Sequence, residues 1–476
     1  MIVLDREANS VFPLVEQIVQ AIRCQIDDRR LPSGARLPSI RTFAAQQGIS
    51  RFTVVDAYDR LVALGYLEAR HGSGFFVATG RDFRDKAAQA ERRQRNAALA
   101  SLIRRTLEAD DGALKFGGPW LPSAWMNEMG LRQSIGTLAR KNGTHLIDYG
   151  NPYGYLPLRE HLALLLAERG IRADAAQIIL TQGTSQALDL IIRRFVRPGD
   201  AVLVDDPGYY NLFANLRMQG ARLLGVPRSP DGPDIAVLER LAAEHRPRIY
   251  FTQSALQNPT GSSILPHIGF RLLQLAQQFD FLVVEDDIFS DLQTTPTPRL
   301  AALDQLERVI YARSFSKTLS GSLRVGFLAA RTAIADELAE VKMFSSITSS
   351  QFAERTLYLL LVDGQYRKFL AQLQRRMDET RGKALQVLER RGVEVFGPPN
   401  SGMFLWARFP GVEDAEQLVR SAEEHGILLA PGVAFRPLLE PSPWMRVNVT
   451  ACDDPRVARW IRHVMTQPKE SWVVTA

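Results

Sequence analysis

Lys317 lies among small hydroxyl residues in SFSKTLSGSLRVG (314–326), directly after the strand-like run RVIYARS (308–314). A lysine that follows a strand and is partly desolvated has a more nucleophilic amine, which can condense with an aldehyde. Arg324, in the same segment, can bind a phosphate through two parallel hydrogen bonds. An isolated Ser-x-Ser-Lys would be weak evidence, because most lysines are solvated. The complete segment is a strong indication of a reactive lysine beside a phosphate site.

Asp286 ends the apolar run FLVVEDD (281–287). A carboxylate at the end of such a strand needs a partner, because an unpaired buried charge is costly. A protonated pyridine nitrogen would supply that partner and would itself be stabilised. Taken alone, the position favours an Asp that caps a loop.

A glycine-led turn enters a predicted helix at TQGTSQALDLI (181–191), where Gly183 precedes Thr184 and Ser185. Such a turn directs backbone N–H groups and the positive end of the helix dipole at an anion. The two hydroxyls add further donors. Together with the other motifs the pattern predicts a phosphate cradle, whereas by itself it would favour an ordinary helix N-terminus.

Two further side chains suit an aromatic aldehyde. Tyr209 in DDPGYYN (205–211) offers an aromatic face after a strand, and Asn258 in QNPTG (257–261) can donate to a phenolic oxygen. Pyridoxal 5'-phosphate (PLP) requires a lysine for its aldehyde, a carboxylate for its pyridine nitrogen, a phosphate cradle and a ring platform. The sequence therefore predicts a PLP pocket.

The elements that must position these residues alternate between strands and helices from about residue 115 to the end of the chain. Strand-like runs separated by helical stretches predict an α/β fold with a mainly parallel sheet and helices on both faces. These runs are AVLVDD (201–206), RIYFTQ (248–253), FLVVEDD (281–287) and RVIYARS (308–314).

This region resembles the fold-type I aminotransferases of class I/II over roughly residues 115–470. The matching motifs are YGNPYGYLPLRE (149–160), QGTSQALD (182–189), DPGYY (206–210), NPTG (258–261), EDDIF (285–289), SFSKTLSGSLRVG (314–326), PPNSGMFLW (398–406) and MRVN (445–448). The resemblance implies that Lys317 forms the internal aldimine and that Asp286 binds the ring nitrogen. It implies that Tyr149 reaches the phosphate across a dimer interface and that Arg446 holds an α-carboxylate. The phosphate contacts that it implies are Gly183, Thr184, Ser185, Ser314, Ser316 and Arg324.

One position departs from that family pattern. Three residues after the ring-nitrogen carboxylate, such proteins usually carry a tyrosine that bonds the phenolic oxygen of the cofactor, and here the residue is Phe289. The missing hydrogen bond is worth about 0.5–1.5 kcal/mol, and somewhat more to a charged oxygen. We expect PLP binding to survive and efficient transamination to suffer.

The pattern of residues 10–79 predicts, in this order, a helix, a second helix, a turn, a third helix and a hairpin. Ser39 is placed to cap a helix that Gly48 ends, and Ser50 to cap the next helix. In a helix-turn-helix the N-terminus of the second helix enters the major groove of DNA. Ser50, Arg51 and Thr53 lie at that N-terminus, where arginine can bond guanine and hydroxyls can bond phosphates. Arg41 is placed for a backbone contact, and the hairpin tip (70–74) for the minor groove, although a small docking domain with surface arginines would read similarly.

Residues 13–77 resemble the winged helix-turn-helix of the GntR family of bacterial repressors. The resemblance runs without a gap and includes LPSGARLPS (31–39), SRFTVV (50–55), LVALGYL (61–67) and HGSGFFV (71–77). Phe52 stands where a smaller polar residue is common. The DNA-contacting positions that the resemblance implies are Arg41, Ser50, Arg51, Thr53, His71 and Gly72.

The segment between the two regions, residues 80–113, is polar and arginine-rich and predicts a linker. The formal net charge of the chain is +6 over 476 residues, too mild to indicate nucleic-acid binding by itself. Two distant cysteines, Cys24 and Cys452, exclude a disulfide framework or a four-ligand zinc site. No apolar run approaches the ~18 residues of a membrane helix, and we expect a cytoplasmic protein.

A GntR-type head followed by an aminotransferase-like body (114–476) resembles the MocR subfamily of transcriptional regulators. That resemblance implies a homodimer that binds a double-stranded DNA operator and responds to an amino compound or to PLP itself at Lys317. Two alternatives remain at this point. The chain could be a true aminotransferase acting on an amino acid, or a DNA-binding scaffold whose body does not bind PLP.

Overall fold

The computed structural model describes residues 14–27, 30–70, 73–78, 100–101, 104–105, 107–108, 112–140 and 147–466. These residues form two compact units that divide at about residue 108. Among them, no helix combines the length and the apolar character that crossing a membrane requires.

The N-terminal unit is built from short helices whose ends are set by local side chains. The Oγ atom of Ser39 accepts a hydrogen bond from the backbone of Thr42 (3.1 Å), and that of Ser50 accepts one from Thr53 (3.0 Å). Both predicted N-caps are therefore confirmed. The elements are α1 (Leu14–Asp27), α2 (Ile40–Gln47), α3 (Arg51–Ala63), β1 (Leu67–Arg70) and β2 (Gly74–Val77).

Tyr58 is at the centre of the core of this unit. It is fully buried, and its ring packs edge-on against Phe43 and Phe75, with centroids 5.7 and 5.0 Å away. Its hydroxyl donates to the backbone oxygen of Pro38 (3.1 Å). The core thus ties α3 to α2, to the turn before α2 and to the hairpin, which fixes the direction of α3 within this unit.

A mainly parallel sheet forms the centre of the larger unit, as the sequence predicts. Among the described residues it has eight strands in the order β3-β10-β9-β8-β7-β4-β5-β6. β10 runs antiparallel to β3 and β9, β6 runs antiparallel to β5, and the other neighbours are parallel. The strands are β3 (Ile178–Thr181), β4 (Ala201–Asp206), β5 (Arg222–Ser229), β6 (Gly232–Pro233), β7 (Ile249–Thr252), β8 (Leu282–Asp286), β9 (Val309–Ser314) and β10 (Gly326–Ala329).

Helices cover both faces of this sheet. Successive residues of a strand point to opposite faces, and they pack in two different apolar clusters. Val283 packs in one cluster and Val284 in the other. The helices are α4 (Glu128–Arg140), α5 (Leu156–Ala167), α6 (Gly183–Phe195), α7 (Tyr210–Met218), α8 (Ile235–His245), α9 (Pro266–Phe279), α10 (Leu300–Asp304), α11 (Thr332–Ser346), α12 (Gln351–Val362) and α13 (Gln365–Glu389).

A smaller antiparallel sheet, in the order β11-β12-β14-β13, follows the large one. Residues 114–117 run beside it: the backbone N–H of Gly117 donates to Leu428 and that of Asn448 donates to Phe116. The next residues of the chain are thereby held close to β14. The remaining elements are β11 (Glu394–Val395), β12 (Phe404–Arg408), β13 (Ala430–Pro431), β14 (Trp444–Asn448), α14 (Val419–Glu424) and α15 (Pro455–Thr466).

Candidate functional site

Most of the predicted PLP-binding residues converge at the carboxyl edge of the large sheet. Asp286 ends β8, Ser314 ends β9, and Gly183 lies two residues after the end of β3. Gly326, at the start of β10, pairs with Ser314 on one side and Thr181 on the other. The carboxyl ends of parallel strands meet at one edge, and such edges are where open α/β sheets bind ligands.

Lys317 is held in the site by a backbone carbonyl. Its Nζ atom donates to the oxygen of Pro119 (3.0 Å) and lies 5.7 Å from the ring centroid of Phe289. Burial lowers the pKa of Lys317 to about 8, and the charges of Arg446 and Arg324 act in the same direction. A larger fraction of the amine is therefore neutral near pH 7 than in a solvated lysine, which suits a nucleophile.

Asp286 has one satisfied and one unsatisfied oxygen. Its Oδ2 atom accepts a hydrogen bond from Nε2 of Gln253 (2.8 Å), whereas Oδ1 is buried without a hydrogen-bond partner. Burial raises the pKa of Asp286 to about 7. A protonated ring nitrogen would give the orphaned oxygen a donor and would favour the charged carboxylate. This residue therefore fits the group that the sequence predicts.

The predicted phosphate cradle is assembled around Gly183, the first residue of α6. Its φ is +76°, and a Cβ atom there would lie 2.9 Å from Nη2 of Arg324, so a side chain would obstruct the arginine. Arg324 donates to the backbone oxygen of Gln182 (3.0 Å) and lies 3.4 Å from Oγ of Ser316, which in turn contacts Ser314 (2.7 Å). Hydroxyls, a guanidinium and a helix N-terminus thus lie close together.

Two residues of the predicted cradle differ in their surroundings. Thr184 is buried, and Ser185 is exposed but forms a hydrogen bond with Tyr209. The hydroxyl of Tyr209 also accepts a hydrogen bond from Asn211 (3.0 Å), and burial raises its pKa to about 12. The hydrogen bonds fix Tyr209 beside the cradle as a neutral aromatic ring, which is the state a stacking platform needs.

Arg446 on β14 is buried, with only 2% of its surface exposed. Its Nε and Nη2 atoms donate to the oxygen of Gly117 (3.0 and 2.7 Å), and Nη1 donates to Oδ1 of Asn258 (2.7 Å). Tyr210 is a further hydrogen-bond partner. These acceptors are all neutral, so none supplies the anion that a buried guanidinium favours. Arg446 is therefore suited to a carboxylate ligand.

Phe289 and Tyr149 lie in contrasting environments. Phe289 is buried beside Lys317, with its ring packed edge-on against Phe404 (5.1 Å between centroids). The position three residues after Asp286 is thus inside the site and carries no hydroxyl. Tyr149 is 80% exposed. Its expected phosphate contact crosses a dimer interface and stays a prediction.

Sequence reasoning missed Gln253 and the segment 117–120. Gln253 follows β7 as the polar residue of FTQ, so the same strand-end argument that selected Asp286 would have found it. Segment 117–120 has no such local signal. Its carbonyl oxygens accept hydrogen bonds from Lys317, Arg446 and Asn448. Asn448 donates to the oxygens of both Gly118 and Trp120.

The predicted DNA-binding residues lie on the surface of the N-terminal unit. Arg41 on α2 and Arg51 on α3 are exposed, and so is Phe52, at 84%. The hydroxyls of Ser50 and Thr53 contact each other (2.8 Å) while Ser50 caps α3. Only one of the two O–H groups is used in that contact, so the other remains able to donate to a phosphate. His71 and Gly72 lie outside the described residues.

Comparison with known families agrees with this two-part arrangement. Residues 14–77 match the bacterial regulatory proteins of the gntR family, and residues 125–464 match aminotransferase class I and II. The probable rhizopine catabolism regulatory protein MocR of Rhizobium meliloti is 31% identical over 448 residues, which cover 90% of this chain and 88% of that protein. The chain belongs to the MocR subfamily of GntR-family transcriptional regulators.

The larger unit of this MocR-subfamily chain is also similar to enzymes. The 2-aminoadipate transaminase of Thermus thermophilus is 31% identical over 77% of this chain and 93% of that enzyme. The crystal structure of LysN, an alpha-aminoadipate aminotransferase from Thermus thermophilus in complex with N-(5'-phosphopyridoxyl)-L-leucine, superposes with a TM-score of 0.70 at 28% identity. It covers 76% of this chain and 95% of that one. The similarity to enzymes covers less of this chain than the similarity to MocR.

Proposed function

We propose that this chain is a PLP-dependent transcriptional regulator. It binds a double-stranded DNA operator through its N-terminal unit and senses an amino compound, or PLP itself, through Lys317. The observation that carries the proposal is that Phe289, which has no hydroxyl, packs beside Lys317. A pocket equipped to bind PLP but lacking one of its electronic contacts suits a sensor better than a fast enzyme.

Each group of the cofactor has a matching residue. Lys317 would take the aldehyde, Asp286 the ring nitrogen and Tyr209 the ring face. Asn258 would donate to the phenolic oxygen, and Tyr149 of a second copy would reach the phosphate. When bound, PLP supplies an electron sink for amino compounds. The residues that would hold the phosphate are Gly183, Thr184, Ser185, Ser314, Ser316 and Arg324.

The chemistry around Arg446 supports an effector that carries a carboxylate. The guanidinium is buried and its acceptors are neutral oxygens. A carboxylate would add charge-assisted hydrogen bonds, which are about twice as strong as neutral ones. An amino compound with an acid group would therefore be bound at both ends, by Arg446 and at the cofactor.

We further propose a cytoplasmic homodimer of three segments: a DNA-binding domain (10–79), a linker (80–113) and a PLP-binding domain (114–476). The DNA-contacting residues would be Arg41, Ser50, Arg51, Thr53, His71 and Gly72. Ile147, Tyr149 and Phe344 support a second copy, because each leaves at least 80% of a large apolar or aromatic side chain exposed. Access to DNA requires the cytoplasmic location.

An aminotransferase acting on an amino acid is the second candidate. Lys317, Asp286 and Arg446 are the residues that such an enzyme would need, and a transaminase is among the relatives. Steady-state turnover with an amino donor and a keto acid distinguishes an enzyme from a regulator. Turnover at rates typical of enzymes, about 1–1000 per second, would favour the enzyme.

The test of the regulator is footprinting of the DNA upstream of its own and neighbouring genes, with and without PLP and candidate amino compounds. We expect a protected operator whose affinity or extent of protection changes with the ligand. Borohydride treatment should fix PLP to Lys317, which also excludes a PLP-free scaffold. A protein that forms no adduct, or that protects no DNA under any ligand condition, contradicts the proposal.

A further inference from the structure

Gln253 connects two predicted cofactor contacts. The residue is only 6% exposed. Its side chain donates from Nε2 to Oδ2 of Asp286 (2.8 Å) and accepts at Oε1 from the backbone N–H of Asn258 (2.7 Å). Asp286 ends β8, whereas Asn258 lies in the loop after β7. A single amide thus connects the carboxylate predicted to bind the ring nitrogen with the residue predicted to bind the phenolic oxygen.

The direction of this amide is determined by its surroundings. A backbone N–H can only donate, so Asn258 requires the oxygen of Gln253 on its side. The NH₂ group must then face Asp286, where it favours the ionised carboxylate. The backbone of Gln253 is fixed as well, since its N–H donates to Asp205 (3.3 Å) and its oxygen accepts from Arg228 (2.9 Å).

We propose that Gln253 is a positioning residue for the cofactor. Its amide favours the ionised form of Asp286, occupies Oδ2 and leaves Oδ1 for the ring nitrogen, and it braces the loop that presents Asn258. The inference rests on the proposed binding of PLP. It adds a residue that would act through two predicted contacts, by setting the orientation of both and the charge of Asp286.

Two substitutions separate positioning from simple packing. Gln253→Glu retains the acceptor for Asn258 but places a second carboxylate against Asp286, and Gln253→Met removes both polar groups at similar size. Gln293→Met is the matched control. Gln293 is also a buried amide, 7% exposed, and it bonds Arg299 and Thr297, outside the proposed PLP contacts.

The dissociation constant for PLP is measured by absorbance at pH 6, 7 and 8, together with the melting temperature of each cofactor-free protein. Loss of a hydrogen bond to a charged group should weaken binding about tenfold to hundredfold at pH 8 in both Gln253 variants. In Gln253→Glu the defect relative to wild type should shrink at pH 6, because a proton on the carboxyl pair restores a donor. Gln253→Met should show no such recovery, and Gln293→Met should bind like wild type.

The possible failures are distinguishable. If the wild type forms no borohydride-trapped adduct at Lys317, the proposed function itself is wrong. If the wild type binds PLP and both Gln253 variants bind it equally well at pH 8, Gln253 is not a positioning residue. Parallel loss of melting temperature and affinity, without recovery of Gln253→Glu at low pH, would assign Gln253 a packing role only and would also overturn the inference.

Discussion

The amine of Lys317 is hydrogen-bonded to the backbone oxygen of Pro119, which precedes it by 198 positions in the chain (3.0 Å). The bond is made inside the pocket, where burial lowers the pKa of the lysine to about 8. A neutral amine retains N–H donors, so the bond persists in the reactive form. The lysine is therefore held in place by a carbonyl that does not require it to be charged.

Lys317→Ala should abolish the covalent PLP adduct and leave the fold intact, since the phosphate cradle does not depend on this side chain. The measurement is mass spectrometry after borohydride reduction, with circular dichroism to check folding. Lys342 is the informative comparison: it is also buried, and its pKa is also lowered to about 8. Adduct found on Lys342 or any other lysine of the variant would show that Lys317 is wrongly assigned.

Arg51→Ala should weaken operator binding about tenfold to hundredfold, because a recognition-helix arginine contributes roughly 1–3 kcal/mol at a guanine. PLP uptake should not change. Arg60→Ala is the control on the same helix, since Arg60 is engaged with Asp56 and Glu16. Fluorescence anisotropy with labelled operator measures the DNA affinity of both variants. Equal loss of DNA binding in the two variants would mean that Arg51 contributes only general charge.

Phe289→Tyr should move the protein toward aminotransferase behaviour. The ring is buried beside Lys317, so the new hydroxyl would lie inside the site. A hydrogen bond to the phenolic oxygen favours its ionised form, and the pKa read from the cofactor absorption should fall. Spectral pH titration and the rate of the half-reaction with amino acids test this. Identical titrations and rates in variant and wild type would remove Phe289 as the cause of weak catalysis.

Asp286→Asn should stabilise the cofactor-free protein at pH 8 but not at pH 4. Burial raises the pKa of Asp286 from 3.8 to about 7, so the folded state binds more protons than the unfolded state between these values. The free energy of unfolding consequently falls as pH rises through this window, and the stability lost in this way is not regained above pH 7. Thermal melts at both pH values measure the difference. A variant that is destabilised at pH 8 would show that the buried carboxylate carries no such penalty.

Gly183→Ala should weaken PLP binding by about tenfold, because the added Cβ displaces Arg324 and with it a charge-assisted bond. Gly199→Ala is a control for backbone strain: its φ is +90°, but a Cβ there meets nothing within 4 Å. Both variants should lose stability, and only Gly183→Ala should lose affinity. A similar affinity in the two would place the phosphate elsewhere.

The sequence was most informative where structure is local or where strand ends must meet. Ser39 and Ser50 were predictable as caps because each cap bonds a residue three positions away. Asp286 and Ser314 were predictable because parallel strands end at a common edge. The bond between Arg446 and Gly117 was not predictable, since it joins residues 329 positions apart through an irregular segment that runs beside the small sheet. The resemblance to the GntR family, not the periodicity, favoured a helix-turn-helix over a generic helical domain.

The carbonyls of segment 117–120 have a thermodynamic consequence. Any ligand that takes the amine of Lys317, or competes with Gly117 for Arg446, removes a donor from this segment. The free energy of ligand binding and the free energy of holding the segment are therefore linked, and each changes the other by the same amount. These residues follow the predicted linker (80–113) almost directly in sequence, so we expect a ligand at Lys317 or Arg446 to change how firmly the start of the PLP-binding domain is held.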